Sequence, residues 1–351
     1  MFDSSMHNVL RKTLGGVLTI LALWPLAAGA EGPMPHQYSN IFDPVSVAGE
    51  QIKDISWLVI GICAMIFLVT QGILFWCIVK FRARPGDERR DPPQIYGSTP
   101  VEVAWTIVPM IIVVVLFLAT ARTIAEIQIE EPPEEALVVD VVGHRWWWEF
   151  KYPEYGITTA NELHIPTSTP ENWRPTFLRL LSQDVIHSFW VPRLGGKSDV
   201  VPNKENWLWF DTATAGLYLG QCAEYCGTQH AHMLLRVYVH TPDEFASWVA
   251  NQQKADVEDP RVAAGRELFQ KTACINCHTL GGTVANGTYG PDLSHFMSRK
   301  TLGAGVALNT PENLRAWIED PQALKPGCRM PNMKLTEPEV DHIVDYLLTL
   351  Q

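Results

Sequence analysis

The sequence predicts a multidomain protein with a pair of membrane-spanning helices, an all-β domain and a small all-α domain, in that order. The long apolar runs are confined to the first third of the 351 residues. Short segments rich in β-branched and aromatic residues follow, separated by turn residues, which is typical of a β-sandwich or barrel. Helix-capping motifs dominate the last quarter of the chain. This length also exceeds that of one ordinary domain.

The N-terminus has the pattern of a secretory signal. Two basic residues precede a short apolar stretch, residues 14–26, and an A-x-A-like motif ends at Ala30. We expect residues 1–30 to form a signal peptide that is cleaved from the mature protein. An uncleaved membrane anchor is the alternative, which the shortness of the stretch and Pro25 near its end disfavour.

Two longer apolar runs, residues 55–79 and 101–121, are each long enough to cross a bilayer as a helix. The loop between them contains Lys80 and four arginines. Because basic loops stay in the cytoplasm, everything after the second run should lie on the outer side of the membrane. Two such runs flanking a basic loop disfavour buried helices of a soluble protein. We expect this transmembrane hairpin to occupy residues 31–135.

The overall composition argues against one class of function and one class of fold. A net charge of -11 argues against nucleic-acid binding, which favours a basic face. Seven cysteines are an odd number, so a simple disulfide framework is not expected.

The all-β domain is expected over residues 136–252. Thr241 begins the helix that closes it, with Pro242 at the first helical position and Glu244 completing a capping box. The predicted strands cover residues 137–142, 145–152, 176–181, 185–191, 207–212 and 234–239.

A polar linker leads into a third domain, residues 253–351, which is helical in outline. Thr336 and Glu339 form a capping box before its last helix. The predicted helices cover residues 260–271, 311–319 and 337–350.

The sharpest local motif of the third domain is Cys274-Ile275-Asn276-Cys277-His278. In C-x-x-C-H motifs the two thiols attach covalently to a haem, and the adjacent histidine becomes an axial iron ligand. A redox dithiol or half of a zinc site are the alternatives. The histidine directly after the second cysteine disfavours the redox dithiol, and the lack of a second C-x-x-C disfavours the zinc site.

The second axial ligand is expected from a proline-containing loop downstream, which offers Met330 and Met333. Histidine–methionine ligation raises the reduction potential of a haem. We rank Met330, which precedes a proline, above Met333, which is expected to be a packing residue.

A second constellation combines His187 with a loop that contains Cys222, Cys226, His230 and Met233. Thiolates, imidazoles and a thioether suit copper rather than calcium or magnesium. Two cysteines on one loop can bridge a pair of copper ions. A disulfide between the cysteines is the alternative, and the other ligands packed onto the same loop favour copper.

The chain resembles subunit II of cytochrome c oxidase, of the bacterial caa3 type in which a cytochrome c domain is fused to the C-terminus. The resemblance rests on the loop 222–233 and the C-x-x-C-H motif, and it extends from the first membrane helix to the last residue. It implies a cupredoxin-like barrel with a dinuclear copper A centre, followed by a class I cytochrome c fold. The implied copper ligands are the side chains of His187, Cys222, Cys226, His230 and Met233 and the backbone carbonyl of Glu224.

The resemblance also implies roles for three other side chains. The carboxylate of Glu224 would reach a magnesium or manganese ion shared with subunit I. Trp146 would lie on the electron path beside the copper site, although aromatic packing in the barrel is the alternative. Glu102 would mark the mouth of a proton pathway into subunit I, as ionisable groups in spans are often functional. Near a helix end, it would otherwise simply reach the membrane interface.

The implied function is that of the subunit through which electrons enter a terminal oxidase. Electrons would pass from an external donor through a covalent haem c to copper A and on to the haem of subunit I, where O2 is reduced to water with proton pumping. The implied partners are subunit I, subunit III, small subunits, the lipid bilayer and a donor that is cytochrome c or a quinol-oxidising complex. We expect a two-pass protein of the bacterial inner membrane with both cofactor domains in the periplasm.

Two other functions remain open from the sequence alone. One is the copper A subunit of a nitric-oxide reductase, which a different catalytic partner would distinguish. The other is a membrane-tethered electron carrier or copper-handling protein. A quinol-oxidase subunit is excluded, because that branch lacks the copper ligands.

Overall fold

The computed structural model describes residues 39–82, 93–128, 131–255 and 259–351. The predicted signal peptide, residues 1–30, therefore lies outside the described residues. So do three arginines of the basic loop, namely Arg84, Arg89 and Arg90.

Two long helices form the first element. Helix α1 spans Val47–Lys80 and helix α2 spans Thr99–Ile127, with mean hydropathies of 2.5 and 2.6 over their most apolar windows. At about 1.5 Å per residue, both exceed the roughly 30 Å of a bilayer core. The helices therefore contain the predicted spans and continue beyond them at both ends. Each is long and apolar enough to cross a membrane.

The described part of the β domain consists of two five-stranded sheets packed face to face. One sheet has the order β3-β2-β1-β5-β8 and the other the order β4-β10-β9-β6-β7. Helix α3, Pro242–Gln252, follows the last strand and begins with the predicted capping box. The strands are β1 Leu137–His144, β2 Trp147–Tyr152, β3 Ile157–Ala160, β4 Glu162–Pro166, β5 Thr176–Ser182, β6 His187–Trp190, β7 Ser198–Val200, β8 Asn206–Phe210, β9 Gly216–Cys222 and β10 Leu234–His240.

An aromatic and aliphatic core holds the two sheets together. The ring of Phe189 on β6 packs edge-on against Trp148 on β2, with 5.2 Å between the centroids, and both side chains are fully buried. Strand β6 pairs antiparallel with β9, which brings Phe189 opposite Cys222. The core thus fixes the end of β9 beside the second half of β6, Phe189 and Trp190.

The sequence did not predict four of the strands, namely β3, β4, β7 and β9. Gly216 and Gly220 lie in β9 and resemble turn residues, yet Gly220 is needed there. A Cβ atom at Gly220 would lie 2.7 Å from the carbonyl oxygen of Trp190 on the neighbouring strand. The backbones approach too closely for a side chain.

The helical domain, the described residues from 259 onward, has its own apolar core. Phe269 of α4, Leu314 of α6 and Val344 of α8 all belong to it. A short hairpin, β11–β12, was not predicted, and α8 ends three residues earlier than expected. The helices are α4 Ala263–Lys271, α5 Cys274–Cys277, α6 Pro311–Glu319, α7 Pro321–Leu324 and α8 Glu337–Leu347, and the hairpin strands are β11 Thr301–Leu302 and β12 Ala307–Leu308.

The helical hairpin is tied to the β domain at its outer end. The indole nitrogen of Trp209 donates a hydrogen bond of 2.8 Å to the carbonyl of Ile127, the last residue of α2. Ser46, which caps α1, donates its hydroxyl to the carbonyl of Leu194 at 2.7 Å. These bonds fix the β domain directly above the membrane helices.

Candidate metal and haem centres

The loop between β9 and β10 presents four sulfur or imidazole side chains. Cys222 is the last residue of β9, and Met233 immediately precedes β10. The amide of Cys222 donates to the carbonyl of Met233 at 3.0 Å, which closes the base of the loop. A short helical turn, His230–His232, lies just before Met233. The two ends of the loop are therefore held as neighbours by the ladder of the sheet.

The structure brings all five predicted side-chain ligands together. The sulfur of Cys222 lies 3.8 Å from that of Cys226 and 3.9 Å from Nδ1 of His187. The sulfur of Cys226 lies 3.7 Å from Nδ1 of His230 and 3.8 Å from the sulfur of Met233. The ligand atoms of His187, Cys222 and Cys226 all lie within 4.8 Å of one another, so these three side chains could hold a metal ion. These soft and borderline donors fit copper.

The two thiols of this cluster lie within hydrogen-bond distance of each other. The hydrogen bond between them lowers the pKa of Cys222 and raises that of Cys226. No disulfide joins any of the seven cysteines, all of which lie in the described residues. Since copper binds thiolates, the donor set that the metal would require forms when the remaining proton is lost.

A carboxylate that the sequence did not single out orients His187. Oδ1 of Asp184 lies 2.9 Å from Nε2 of His187, so the other nitrogen of the ring faces Cys222. Burial disfavours charge on both side chains, yet the bond between them lowers the pKa of Asp184 and raises that of His187. Carboxylates that hold a ligand histidine in this way are common at metal sites. The carboxylate three residues before the histidine was the available signal.

Gly143 on β1 provides the space for the ring of His187. A Cβ atom at Gly143 would lie 2.8 Å from Cδ2 of that ring. The absence of a side chain on the adjacent sheet therefore lets the histidine reach the cluster.

Glu224 lies inside the ligand loop. Its backbone oxygen is 3.2 Å from the sulfur of Cys222, within the cluster. The residue as a whole is exposed. The carbonyl is thus placed among the predicted copper ligands.

A cavity of about 200 Å³, partly open to solvent, lies where the helical domain meets the β domain. Cys274, Cys277 and His278 line it. Nδ1 of His278 lies 2.7 Å from the carbonyl of Pro291, which leaves Nε2 available for a metal. A Cβ atom at Gly290 would lie 2.6 Å from this imidazole. The thiols, the oriented imidazole and the apolar volume fit a covalently attached haem.

Both candidate methionines line this cavity. Met330 also packs against the core of the helical domain, and its carbonyl accepts a hydrogen bond of 2.8 Å from Gln322. The geometry brings both residues to the cavity wall, so the preference for Met330 remains a prediction.

Trp146 lies between the two predicted cofactor sites. It lines the cavity, and its indole nitrogen donates a hydrogen bond of 3.0 Å to the carbonyl of Cys226. A Cβ atom at Gly227 would lie 3.0 Å from the indole, so glycine permits this approach. The neighbouring Trp147 also lines the cavity, and its ring stacks on His144 with 4.1 Å between ring centroids.

Glu102 lies in the first turn of α2, at the helix end that the basic loop precedes. Its carboxylate accepts a hydrogen bond of 3.1 Å from the amide of Ser98. This contact caps the helix, and the predicted proton-pathway role remains a prediction.

Three family models match the chain. The model "Cytochrome C oxidase subunit II, transmembrane domain" matches residues 35–121, and "Cytochrome C oxidase subunit II, periplasmic domain" matches residues 169–239. The model "Cytochrome c" matches residues 262–351. These models fit the predicted order of a two-helix hairpin, a β domain and a helical cytochrome c domain.

Several characterised proteins are similar to the chain along most of its length. The cytochrome c oxidase subunit 2 of Alkalihalophilus pseudofirmus is 36% identical over 329 residues, which cover 91% of this chain and 93% of that protein. The subunit of the same name from Bacillus subtilis is 31% identical and covers 95% of this chain and 97% of that protein. A crystal structure of the periplasmic domain of subunit II of a cytochrome oxidase from Bradyrhizobium japonicum is 28% identical, covering 36% of this chain and 97% of that one, with a TM-score of 0.32.

The choice between the two methionines can be tested by substitution. Met330→Leu should abolish the sulfur–iron absorption band and lower the haem potential, because a thioether ligand is lost. Met333→Leu is the matched control and should do neither. The reverse pattern in the absorption spectra and redox titrations would assign the ligand to Met333.

The role of Asp184 can be tested through the copper potential. Asp184→Asn removes a negative charge that faces His187, so the reduced copper state gains relative stability. We expect the copper potential to rise by on the order of 59 mV, a tenfold change in a one-electron equilibrium. Asp199→Asn, an exposed carboxylate on β7, should leave the potential unchanged. An unchanged potential in the Asp184 variant, measured by redox titration, would show that the charge of Asp184 does not act on the copper site.

Proposed function

The chain belongs to the cytochrome c oxidase subunit II family, and we propose that it passes electrons to subunit I across the contact that Trp146 makes between its two cofactor sites. It is the subunit through which electrons enter the oxidase. When bound, a covalent haem c and a dinuclear copper A centre supply the one-electron chemistry that connects an external donor with the haem of subunit I, where O2 is reduced with proton pumping.

The hydrogen bond from Trp146 to Cys226 is the observation that carries the proposal. The same indole lines the cavity of the helical domain and contacts the backbone of a copper-ligand residue. The covalent path from that carbonyl to the sulfur of Cys226 stays within one residue. Trp146 thus provides a direct connection between the two sites, and no movement of either domain is needed.

The residues proposed to hold the cofactors divide between the domains. Cys274 and Cys277 would form the thioether bonds to the haem, while His278 and Met330 would bind its iron. The copper pair would be bound by His187, Cys222, Cys226, His230, Met233 and the carbonyl of Glu224. The two sets fit the proposed domain boundaries, residues 136–252 for copper and residues 253–351 for the haem, after a hairpin within residues 31–135.

Subunit I is the partner that family membership implies. We propose that the carboxylate of Glu224 binds a magnesium or manganese ion at the boundary with that subunit. We also propose that Glu102 lies at the mouth of a proton pathway there. Subunit III and small subunits would complete a complex in the bacterial inner membrane, and the donor would be cytochrome c or a quinol-oxidising complex.

The copper assignment predicts a specific magnetic signature. The full-length chain should bind a pair of coppers alongside one haem and show hyperfine structure from one electron shared between two equivalent copper nuclei. Cys226→Ser should reduce this to the pattern of a single nucleus, because one bridging sulfur is lost. Zinc, a single copper, or a bond between Cys222 and Cys226 in the native protein would contradict the assignment.

The electron path predicts different effects for two tryptophans of the β domain and its closing helix. Trp146→Phe removes the indole N–H that contacts Cys226, so transfer from photoreduced haem to copper should slow severalfold. Trp248→Phe is the control, since that ring stacks on His164 with 4.5 Å between ring centroids, lies outside the set of residues that line the cavity, and should leave the rate unchanged. Flash photolysis with absorption detection measures both rates. Equal rates in the wild type and the Trp146 variant would exclude this path.

A further inference from the structure

Lys325 is a buried cation at the junction between the domains. It follows α7, and only 3% of its surface is exposed. Its ammonium group donates to the carbonyls of Trp146 and His232 at 2.9 Å and to that of Gly303 at 2.8 Å. The first two acceptors belong to the β domain and the third to the helical domain. The three donors of the ammonium are therefore all used, two of them across the junction.

The environment of Lys325 makes its hydrogen bonds sensitive to the position of the helical domain on the β domain. Burial lowers the pKa of Lys325 to about 8. All three acceptors are backbone carbonyls, so none of them supplies a full counter-charge. A shifted or rotated helical domain would bury the ammonium without its acceptors, and an unpaired buried charge is strongly unfavourable. Lys325 therefore discriminates between docking positions more than it adds to the strength of docking.

A buried carboxylate of the β domain, Glu162, makes contacts of the same kind with the helical domain. Glu162 on β4 is fully buried, and its carboxylate accepts from the amide of Thr301 at 2.9 Å and from its hydroxyl at 2.8 Å. The amide of Lys300 also donates to this carboxylate at 3.0 Å. Burial raises the pKa of Glu162, which these donors partly oppose. Lys325 and Glu162 are thus each satisfied mainly by backbone groups of the opposite domain.

Further contacts join the same two surfaces. Gln229, which lies between two predicted copper ligands, donates its side-chain amide to the carbonyl of Pro326. The amide of Leu234 at the start of β10 donates to the carbonyl of Ala304 at 3.2 Å. The junction therefore includes the base of the copper-ligand loop and the segment that leads to Met330.

We propose that Lys325 and Glu162 are positioning residues that lock the helical domain in one orientation on the β domain. Lys325 holds the carbonyl of the residue whose indole contacts Cys226, so the lock fixes the segment that separates the two cofactor sites. Its consequence for electron transfer rests on the proposed function, whereas the lock itself does not.

A purely internal role for Lys325 makes a different prediction. Its bond to Gly303 lies within the helical domain, so its loss would weaken that domain alone. Haem absorption and the thermal stability of the helical domain would then change, while the spacing of the domains would not. A positioning role changes the spacing and leaves the haem spectrum intact.

The test uses the full-length chain with both cofactors bound. Lys325→Met removes the charge and keeps most of the side-chain volume, and Lys271→Met, an exposed residue of α4 paired with Glu267, is the control. Pulsed EPR measures the distribution of distances between oxidised copper and ferric haem, and flash photolysis measures the rate of transfer between them.

Wild type and the Lys271 variant should give one narrow distance distribution. The Lys325 variant should give a broad one and a transfer rate about tenfold lower, the factor expected when one charge-assisted hydrogen bond no longer favours the docked orientation. Its haem and copper spectra should stay unchanged. A narrow distribution with the wild-type rate would overturn the proposal.

Glu162→Gln provides a second, independent variant in case the Lys325 variant does not fold. It lies in the other domain and keeps the shape of the side chain while removing its charge. The same broadening is expected, and a wild-type distribution in this variant would overturn the lock. A wild-type protein without the paired-copper signal or without bound haem would instead refute the proposed function. Failure of the proposed lock and failure of the proposed function are therefore distinguishable.

Discussion

One hydrogen bond, from the indole of Trp146 to the carbonyl of Cys226 at 3.0 Å, connects the wall of the cavity with a predicted copper ligand, and the other contacts keep its ends in place. The Cys226 end is fixed because the sheet closes the base of the ligand loop. The Trp146 end lies in the tight turn between β1 and β2, beneath the ammonium of Lys325. Both ends belong to the β domain, which therefore forms one wall of the haem cavity as well as the copper site.

Because two domains share the walls of the cavity, buried charged side chains at their junction have a particular effect. A cofactor cavity that two domains share would open if either domain rotated, and apolar contact alone tolerates small rotations. Hydrogen bonds to a buried charge do not, because a displaced charge loses its partners at a large cost in free energy. Lys325 and Glu162 are satisfied mainly by backbone groups of the opposite domain, whose positions are set by the fold itself. These contacts are the ones through which the proposed lock would keep the proposed electron path fixed.

Most of the predicted ligands could be found from the sequence, whereas the residues that support them could not. The physical reason is the distance along the chain between the residues that act together. Cys222, Cys226, His230 and Met233 share one short loop, and Cys274, Cys277 and His278 form one motif, so their spacing points to metal or haem sites, whereas the predicted ligands His187 and Met330 lie outside these segments. The supporting contacts connect residues far apart in the chain, such as Lys325 with Trp146, 179 positions away, and Thr301 with Glu162, 139 positions away. No local pattern distinguishes such a lysine from a solvated one. Strand β9 was not predicted for a similar reason. Its glycines allow the close approach of a neighbouring backbone, and the local sequence does not reveal that neighbour.

The dependence of the haem-to-copper transfer rate on solvent viscosity tests the fixed arrangement most directly. If the helical domain stays docked with Trp146 between the sites, the rate measured after photoreduction of the haem should not change as glycerol or sucrose raises the viscosity. A rate that falls in proportion to viscosity would show that the domain must move to deliver each electron, and it would contradict a fixed path through Trp146.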